Sequence, residues 1–211
     1  MKEYHKIITV FKRNERNNYK TMIEGKYSLE EFEYLKNNKW IFTEKIDGIL
    51  IRIIFKKEKN EIIIKGKSDN ASIPTFLLEN IMNLIDKQKF NEVFDSDVCL
   101  YGEGYGAKIQ KGGGNYIKDS QDFILFDIMI NNWWLKREDI EIMSNKLGIK
   151  IVPIIGEGTL IDMISKCRQG FNSQWGDFKA EGIVARPKYE LFSRGRQRII
   201  TKIKSKDFIT N

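Results

Sequence analysis

Three isoleucine-rich stretches crowd into residues 41 to 65 of this chain: Ile41 to Glu44, Ile49 to Phe55 and Glu61 to Lys65, with turn-like residues between them. β-Branched residues fit a pleated, half-buried surface, so these stretches predict antiparallel strands. Val98 to Tyr101, Phe123 to Ile130, Gly182 to Arg186 and Ile199 to Ile203 predict further strands. Helices are expected elsewhere. Ser28 and Glu31 resemble a capping box ahead of Leu29, Phe32 and Leu35, which predicts a helix over 28 to 37. Pro74 opens a second, through about Lys87, and two more cover 137 to 147 and 159 to 168, closed by Gly148 and Gly170. Strands come in runs instead of alternating with helices, so the expected class is α+β, with antiparallel sheets packed against flanking helices.

A length of 211 residues suits one compact domain with its own core. Only three prolines and no low-complexity tract occur, so the chain reads as a single domain over 1–211 without a linker. No stretch is apolar and long enough to span a membrane, and the N-terminal residues lack the pattern of a signal peptide. A soluble, non-exported, cytoplasmic protein is the expectation, with no membrane partner. Cys99 and Cys167 are far apart and belong to no CxxC pair, and His5 is the single histidine, so His/Cys zinc sites and His-based catalysis are poorly supplied.

Charge is uneven. Lys and Arg number 36 against 29 Asp and Glu, a net +7, and the segment from Arg186 to Lys206 holds eight basic residues against Glu190 alone, which is the same excess. Such a segment suits a polyphosphate or nucleic acid partner, and suits a solubilising surface as well.

Specific residues carry more. In TEKIDGILIRIIF, residues 43 to 55, Asp47-Gly48 between apolar runs is an ordinary hairpin signal, but Lys45 places a primary amine on a rigid base, as a covalent nucleophile requires. A free lysine ionises near pKa ~10.4, so attack at neutral pH needs nearby cations or desolvation, and the basic C-terminal run could supply the cations. Gly102, Gly104 and Ala107 satisfy the loose dinucleotide fingerprint GxGxxA. That reading is rejected: KIQKGGGNY follows where a helix N-terminus should hold the pyrophosphate, and Glu103 would repel it. Glu103 suits a ribose hydroxyl or a metal-bound water better. Phe123 and Phe126 lie in an apolar strand and fit a core, although either could stack on a purine. Glu181 opens a strand, and in TKIKSK the alternation puts Lys202, Lys204 and Lys206 on one strand face with Ile203 opposite.

In order, KIDG (Lys45 to Gly48), YGE (Tyr101 to Glu103), FD (Phe126, Asp127), EGIV (Glu181 to Val184) and KIK (Lys202 to Lys204) resemble motifs I, III, IIIa, IV and V of the covalent nucleotidyltransferases, which include polynucleotide ligases and RNA capping enzymes. TEK before IDG, GKSDNASIP (residues 66 to 74) and GEGYGAKIQKGGGNY (residues 102 to 116) are most similar to RNA ligases of the bacteriophage RNA ligase 2 type. The resemblance implies a nucleotidyltransferase, ATP-grasp-like ligase domain. By it, Lys45 attacks the α-phosphate of ATP, expels pyrophosphate and becomes a lysyl-adenylate. AMP then passes to a 5'-phosphate end, and a 3'-hydroxyl displaces it to leave a phosphodiester. Glu44 and Phe126 would serve adenine, Glu103 the ribose, Glu181 a divalent metal (Mg²⁺ or Mn²⁺), and Lys202 and Lys204 the phosphates.

Two departures bear on ends and ribose: Leu50 stands where such ligases have a polar residue, and Lys67 where arginine is common. No C-terminal OB or helical domain follows Lys204, so sealing is expected to be weak or to need an auxiliary protein. RNA ends are the expected substrate. A minimal DNA ligase and a non-catalytic nucleic-acid-binding protein of the same fold are the alternatives.

Overall fold

The computed structural model describes residues 2–208; residue 1 and residues 209–211, at the ends of the expected 1–211 domain, lie outside the described residues. Along the chain run β1 (Ile8–Thr9), β2 (Phe11–Arg13), β3 (Met22–Tyr27), α1 (Glu30–Tyr34), β4 (Trp40–Lys45), β5 (Ile49–Lys56), β6 (Glu61–Lys65), α2 (Thr75–Leu84) and α3 (Lys87–Val93). There follow β7 (Val98–Gly106), α4 (Gly113–Tyr116), β8 (Gln121–Ile130), β9 (Trp133–Trp134), α5 (Arg137–Leu147), β10 (Ile154–Gly158), α6 (Leu160–Gln169), β11 (Gly182–Pro187) and β12 (Thr201–Lys204). The chain is α+β as expected, and it divides into two compact units: Met1–His5 with Asp47–Val152, and Lys6–Ile46 with Pro153–Asn211.

The first unit is built on the sheet β6-β5-β7-β8-β9, antiparallel throughout. Ile51, Ile53 and Phe55 of β5, Val98 and Leu100 of β7, and Phe123, Leu125 and Ile128 of β8 turn one face to a core closed by Leu77 and Ile81 of α2, Phe90 of α3, and Ile140 and Leu147 of α5. Strand alternation sends Arg52, Tyr101 and Glu103 to the other face. There Tyr4 packs among Tyr101, Phe126 and Trp134, with ring centroids 5.1 to 5.7 Å away, and Tyr4 donates a 2.5 Å hydrogen bond to Asp127 Oδ2.

The second unit holds the sheet β1-β12-β11-β4-β10 and the separate pair β2-β3. Its core gathers Trp40 and Phe42 of β4, Ile183 and Ala185 of β11 and Ile203 of β12 against Leu160, Met163, Ile164 and Cys167 of α6 and Phe32 of α1. α6 starts on a capping box between Thr159 and Asp162.

Several expectations need correction. β4 and β5 do not form a hairpin: β4 pairs with β10 and β11, β5 with β6 and β7, and Asp47-Gly48 is where the chain passes from one unit to the other. β7 runs beyond the expected end at Tyr101 through GEGYG, and within KIQKGGGNY Gly113 and Gly114 belong to the single-turn α4. The Ser28 capping box does not form, because Leu29 takes the N-cap position of a five-residue helix. The helix expected through Lys87 breaks at Ile85, and Asp86 caps α3 by accepting from the backbone of Gln88 and Lys89. Lys206 lies in a 3₁₀ turn over Ser205–Phe208, not on the strand of Lys202 and Lys204.

Candidate active site

β4, β11 and β12 lie side by side in the second unit, and their register aligns Lys45 with Gly182 and Gly182 with Lys204; two residues along, Thr43 faces Val184 and Val184 faces Lys202. Pleating sends these six residues to the face opposite Trp40, Phe42, Ile183 and Ile203. Three lysines therefore share one face, carried on strands whose other face is the apolar core. Glycine at 182 is needed here. A Cβ would come within 2.1 Å of the Ile203 carbonyl oxygen and 2.8 Å of Lys204 Cα, so a larger residue would push β12 away.

Glu181, just before β11, joins the lysines. Its Oε2 lies 2.6 Å from Lys45 Nζ and its Oε1 2.6 Å from Lys204 Nζ, one carboxylate oxygen to each ammonium. Lys45 Nζ also donates to the carbonyl of Ile46 at 3.3 Å. All three side chains are largely buried, with 12 to 24% of their surface exposed. Lys202 has no ion pair among the described residues. Burial, together with the positive charges of Lys45 and Lys204, and of Lys6, holds its ammonium below the ordinary lysine value, while Glu181 pulls the other way.

Glu44 is buried on the opposite face of β4 from Lys45. The Ser173 hydroxyl donates to its Oε1 at 2.6 Å and the Gln174 backbone N–H to its Oε2 at 2.8 Å. Ser173 Oγ in turn accepts from the Trp175 N–H, so one carboxylate fixes a turn far away in sequence. Burial raises the Glu44 carboxyl above the usual range, and the two hydrogen bonds oppose that rise. Sequence reasoning missed this turn, since nothing local ties residue 173 to residue 44.

Glu103 and Phe126 belong to the first unit. Glu103, on β7, lies across from Leu50 of β5 and Ile124 of β8. A Cβ at Gly48 would come within 2.7 Å of Glu103 Cγ and 2.3 Å of the Gly104 carbonyl oxygen, so the glycine of KIDG admits both strand and carboxylate. Between Tyr101 and Gly102 the β7–β8 register jumps from Asp127 to Leu125, which leaves Phe126 as the extra residue of a β-bulge. The bulge lets Phe126 meet Tyr4 edge-on at 5.1 Å. Arg52, fully buried on β5, was also missed: its Nε donates to the Gly66 carbonyl at 2.9 Å and its Nη2 to Asp69 Oδ1 at 2.7 Å, which holds the GKSD segment. A lone arginine inside IRIIF was the available signal.

Among the described residues no three His, Cys, Asp or Glu side chains group as a metal site. A cation such as Mg²⁺, which keeps several waters and binds through one or two carboxylates plus phosphates, needs no such group, and the Glu181 carboxylate fits that requirement. The thiols of Cys99 and Cys167 are free and buried, and burial pushes each up to about 11. No helix among the described residues is long and apolar enough to cross a membrane.

Comparison with known proteins follows the same segments. The family model for RNA ligase matches residues 38–204, from just before β4 to the end of β12. Among solved structures, a Naegleria gruberi RNA ligase with PPi aligns with a TM-score of 0.62 at 20% identity, covering 84% of this chain and 52% of that one. A point mutant of the same ligase with ATP and Mn aligns at 0.61 and 20% identity, covering 84% and 53%. The fold is shared, and this chain spans about half the length of the ligase it matches.

Proposed function

We propose that this chain, which belongs to the RNA ligase family, is an ATP-dependent RNA ligase whose nucleophile is Lys45, acting through a lysyl-adenylate. The observation that carries the reading is the convergence of Lys45, Glu181 and Lys204 on one partly buried sheet face, with Lys202 beside them. An amine that must attack phosphorus needs a fixed backbone and cationic neighbours for the phosphates, and β4 and β12 supply both. Nucleotide and metal follow from the Naegleria ligase, which is described with ATP and Mn.

In the first step the Lys45 Nζ lone pair forms a P–N bond to the α-phosphorus of ATP, the bond to the bridging oxygen breaks, and pyrophosphate leaves as the amine loses its proton. Lys204 and Lys202 hold the phosphates and offset the charge on the leaving group. A divalent cation at Glu181 would supply further charge neutralisation there. Glu181 must first exchange its pairing with the two lysines, which frees the amine of Lys45. In the later steps AMP passes to a 5'-phosphate of RNA, and a 3'-hydroxyl displaces it to form the phosphodiester.

The resemblance of their motifs assigns Glu103 to the ribose and Phe126 to adenine. Glu44 is different. Both its oxygens are engaged by Ser173 and Gln174, so its contribution to adenine binding is to position the end of β4 and the turn at 173 to 175.

Incubation with ATP labelled at the α-phosphate and a divalent cation, followed by denaturing electrophoresis, tests the reading. Label is expected on the 24.8 kDa chain and absent from Lys45→Ala. An unlabelled wild type, or label that persists in the variant, overturns it. Nicked RNA and nicked DNA then separate an RNA ligase from a DNA ligase.

A further inference from the structure

The eight basic residues between Arg186 and Lys206 do not act as one patch. Lys204 is held by Glu181, Lys188 lies 3.6 Å from Glu157, and Arg198 is buried and paired with Glu190 at 3.2 Å. Arg194 and Arg196 are left at the exposed tip of the β11–β12 connection, their guanidinium groups without a hydrogen bond or ion pair among the described residues. Two aromatic rings accompany them: Tyr189 is 79% exposed and Phe192 54%, and neither has a ring partner among the described residues.

The connection is an ordered turn. Ile199 N–H donates to the Leu191 carbonyl at 2.9 Å, Phe192 and Arg198 form an antiparallel bridge, Ser193 N–H donates to the Gln197 carbonyl at 2.8 Å, and Arg196 N–H to the Ser193 carbonyl at 2.9 Å. Arg196 takes the left-handed conformation, φ 57°, that closes the tip. Buried Arg198, tied to Glu190, braces the base.

We propose that this turn, residues 188 to 198, docks an unpaired stretch of the RNA strand beyond the end being joined. The proposal rests on the ligase reading above, and extends it to how substrate is held. Arg194 and Arg196 complement phosphates, and Tyr189 and Phe192 offer flat faces for bases. Bases stacked inside a duplex cannot reach such faces, which is why the occupant is single-stranded. The turn leaves the Pro187 end of β11, whereas Glu181 precedes the other end. Six strand residues separate them, about 20 Å at ~3.3 Å each, so the contact falls several nucleotides from the reacting phosphate.

Fluorescent single-stranded RNAs of about 4 and about 16 nucleotides, spanning the usual range of site sizes, test this by anisotropy across a salt series without ATP. Two double variants of the full chain are compared with wild type: Tyr189→Ala with Phe192→Ala, and Arg194→Gln with Arg196→Gln. For the longer RNA the aromatic pair weakens binding about tenfold or more at every salt concentration. The arginine pair lowers the slope of log K against log salt by about 1.4, from ~0.7 per phosphate contact. Both variants keep wild-type melting and self-adenylylation, and the 4-nucleotide RNA binds all three proteins alike. Unchanged binding of the longer RNA in both variants overturns the proposal, as does an equal loss for the 4-nucleotide RNA or for a blunt RNA duplex. Because binding is read without ATP, failure of the docking turn is distinguishable from failure of the adenylyltransferase, which the labelling experiment reports.

Discussion

Each of the two sheets has one face on an apolar core, and they differ in what the other face carries. On β5, β7 and β8 the second face is closed with rings and a buried cation: Tyr4, Tyr101, Phe126 and Trp134 pack together, and Arg52 is fully buried with a carbonyl and a carboxylate as partners. On β4, β11 and β12 it carries Lys45, Lys202 and Lys204. The alternation of a strand is the same in both, so chemistry is set by which residues take the off-core positions, and the core face only fixes where they stand. Like charges gathered on one face oppose folding, and here a single carboxylate, Glu181, offsets two of the three.

The contrast between core face and lysine face can be broken from the core side. Phe42→Ala, which opens a cavity against α6, should cost about 3 to 5 kcal/mol in chemical denaturation. Lys45→Ala, three residues on and facing the other way, should cost about 1 kcal/mol or less, since Lys204 still pairs Glu181. Equal losses would mean that the two faces are not energetically separate. Gly182→Ala should come next, at about 3 kcal/mol, because its Cβ meets the backbone of β12; label transfer should fall with it as Lys204 moves off Glu181.

The smallest effect sharpens the electrostatic half of the comparison. Lys202 is held below its ordinary value in the folded chain, so the unfolded chain binds its proton more readily. Stability from this group therefore rises as pH climbs from the depressed value towards 10.5. Lys202→Met should raise the melting temperature by about 2 °C at neutral pH, with the gap to wild type closing as pH approaches 10.5. A gap that widened would show that Lys202 gains, instead of loses, from its surroundings.

Local signals were legible and long-range ones were not. The bounds of β6 follow from its run of isoleucines, and the end of α5 from Gly148, which takes the left-handed C-cap at φ 71°. The shared face of Lys202 and Lys204 follows from alternation alone. Asp47-Gly48 misled because a turn signal reports a change of direction and not which strands pair, and partner choice depends on β10 and β11, more than a hundred residues later. The strand expected over Val98 to Tyr101 stops short of GEGYG because glycines in a sequence look permissive. In fact they are demanded by contact: a Cβ at Gly102 would meet the Phe123 ring and the Ile124 carbonyl oxygen at 2.3 Å, and one at Gly104 the side chain of Leu77 at 2.6 Å. β1 and β2, of two and three residues, are too short to establish a period, and β3, MIEGKY, shows no apolar alternation. For the candidate site, Lys45, Glu181 and Lys204 could be named from their motifs, whereas the turn at Ser173 and the anchor at Arg52 exist only through tertiary contacts.

The strand that presents Lys45 is translated well before the strands that flank it. Its carboxylate neighbour is 136 residues downstream, so at ribosomal rates of ~5–20 residues per second β4 waits roughly 7 to 27 s for β11. β10 can pair one edge of β4 before β11 is made, but the other edge stays without a partner and the amine of Lys45 without a counter-charge until Glu181 and β11 emerge. A chain cut short before residue 181 would therefore lack both the carboxylate and the last lysine-bearing strand that stand beside the nucleophile proposed at Lys45.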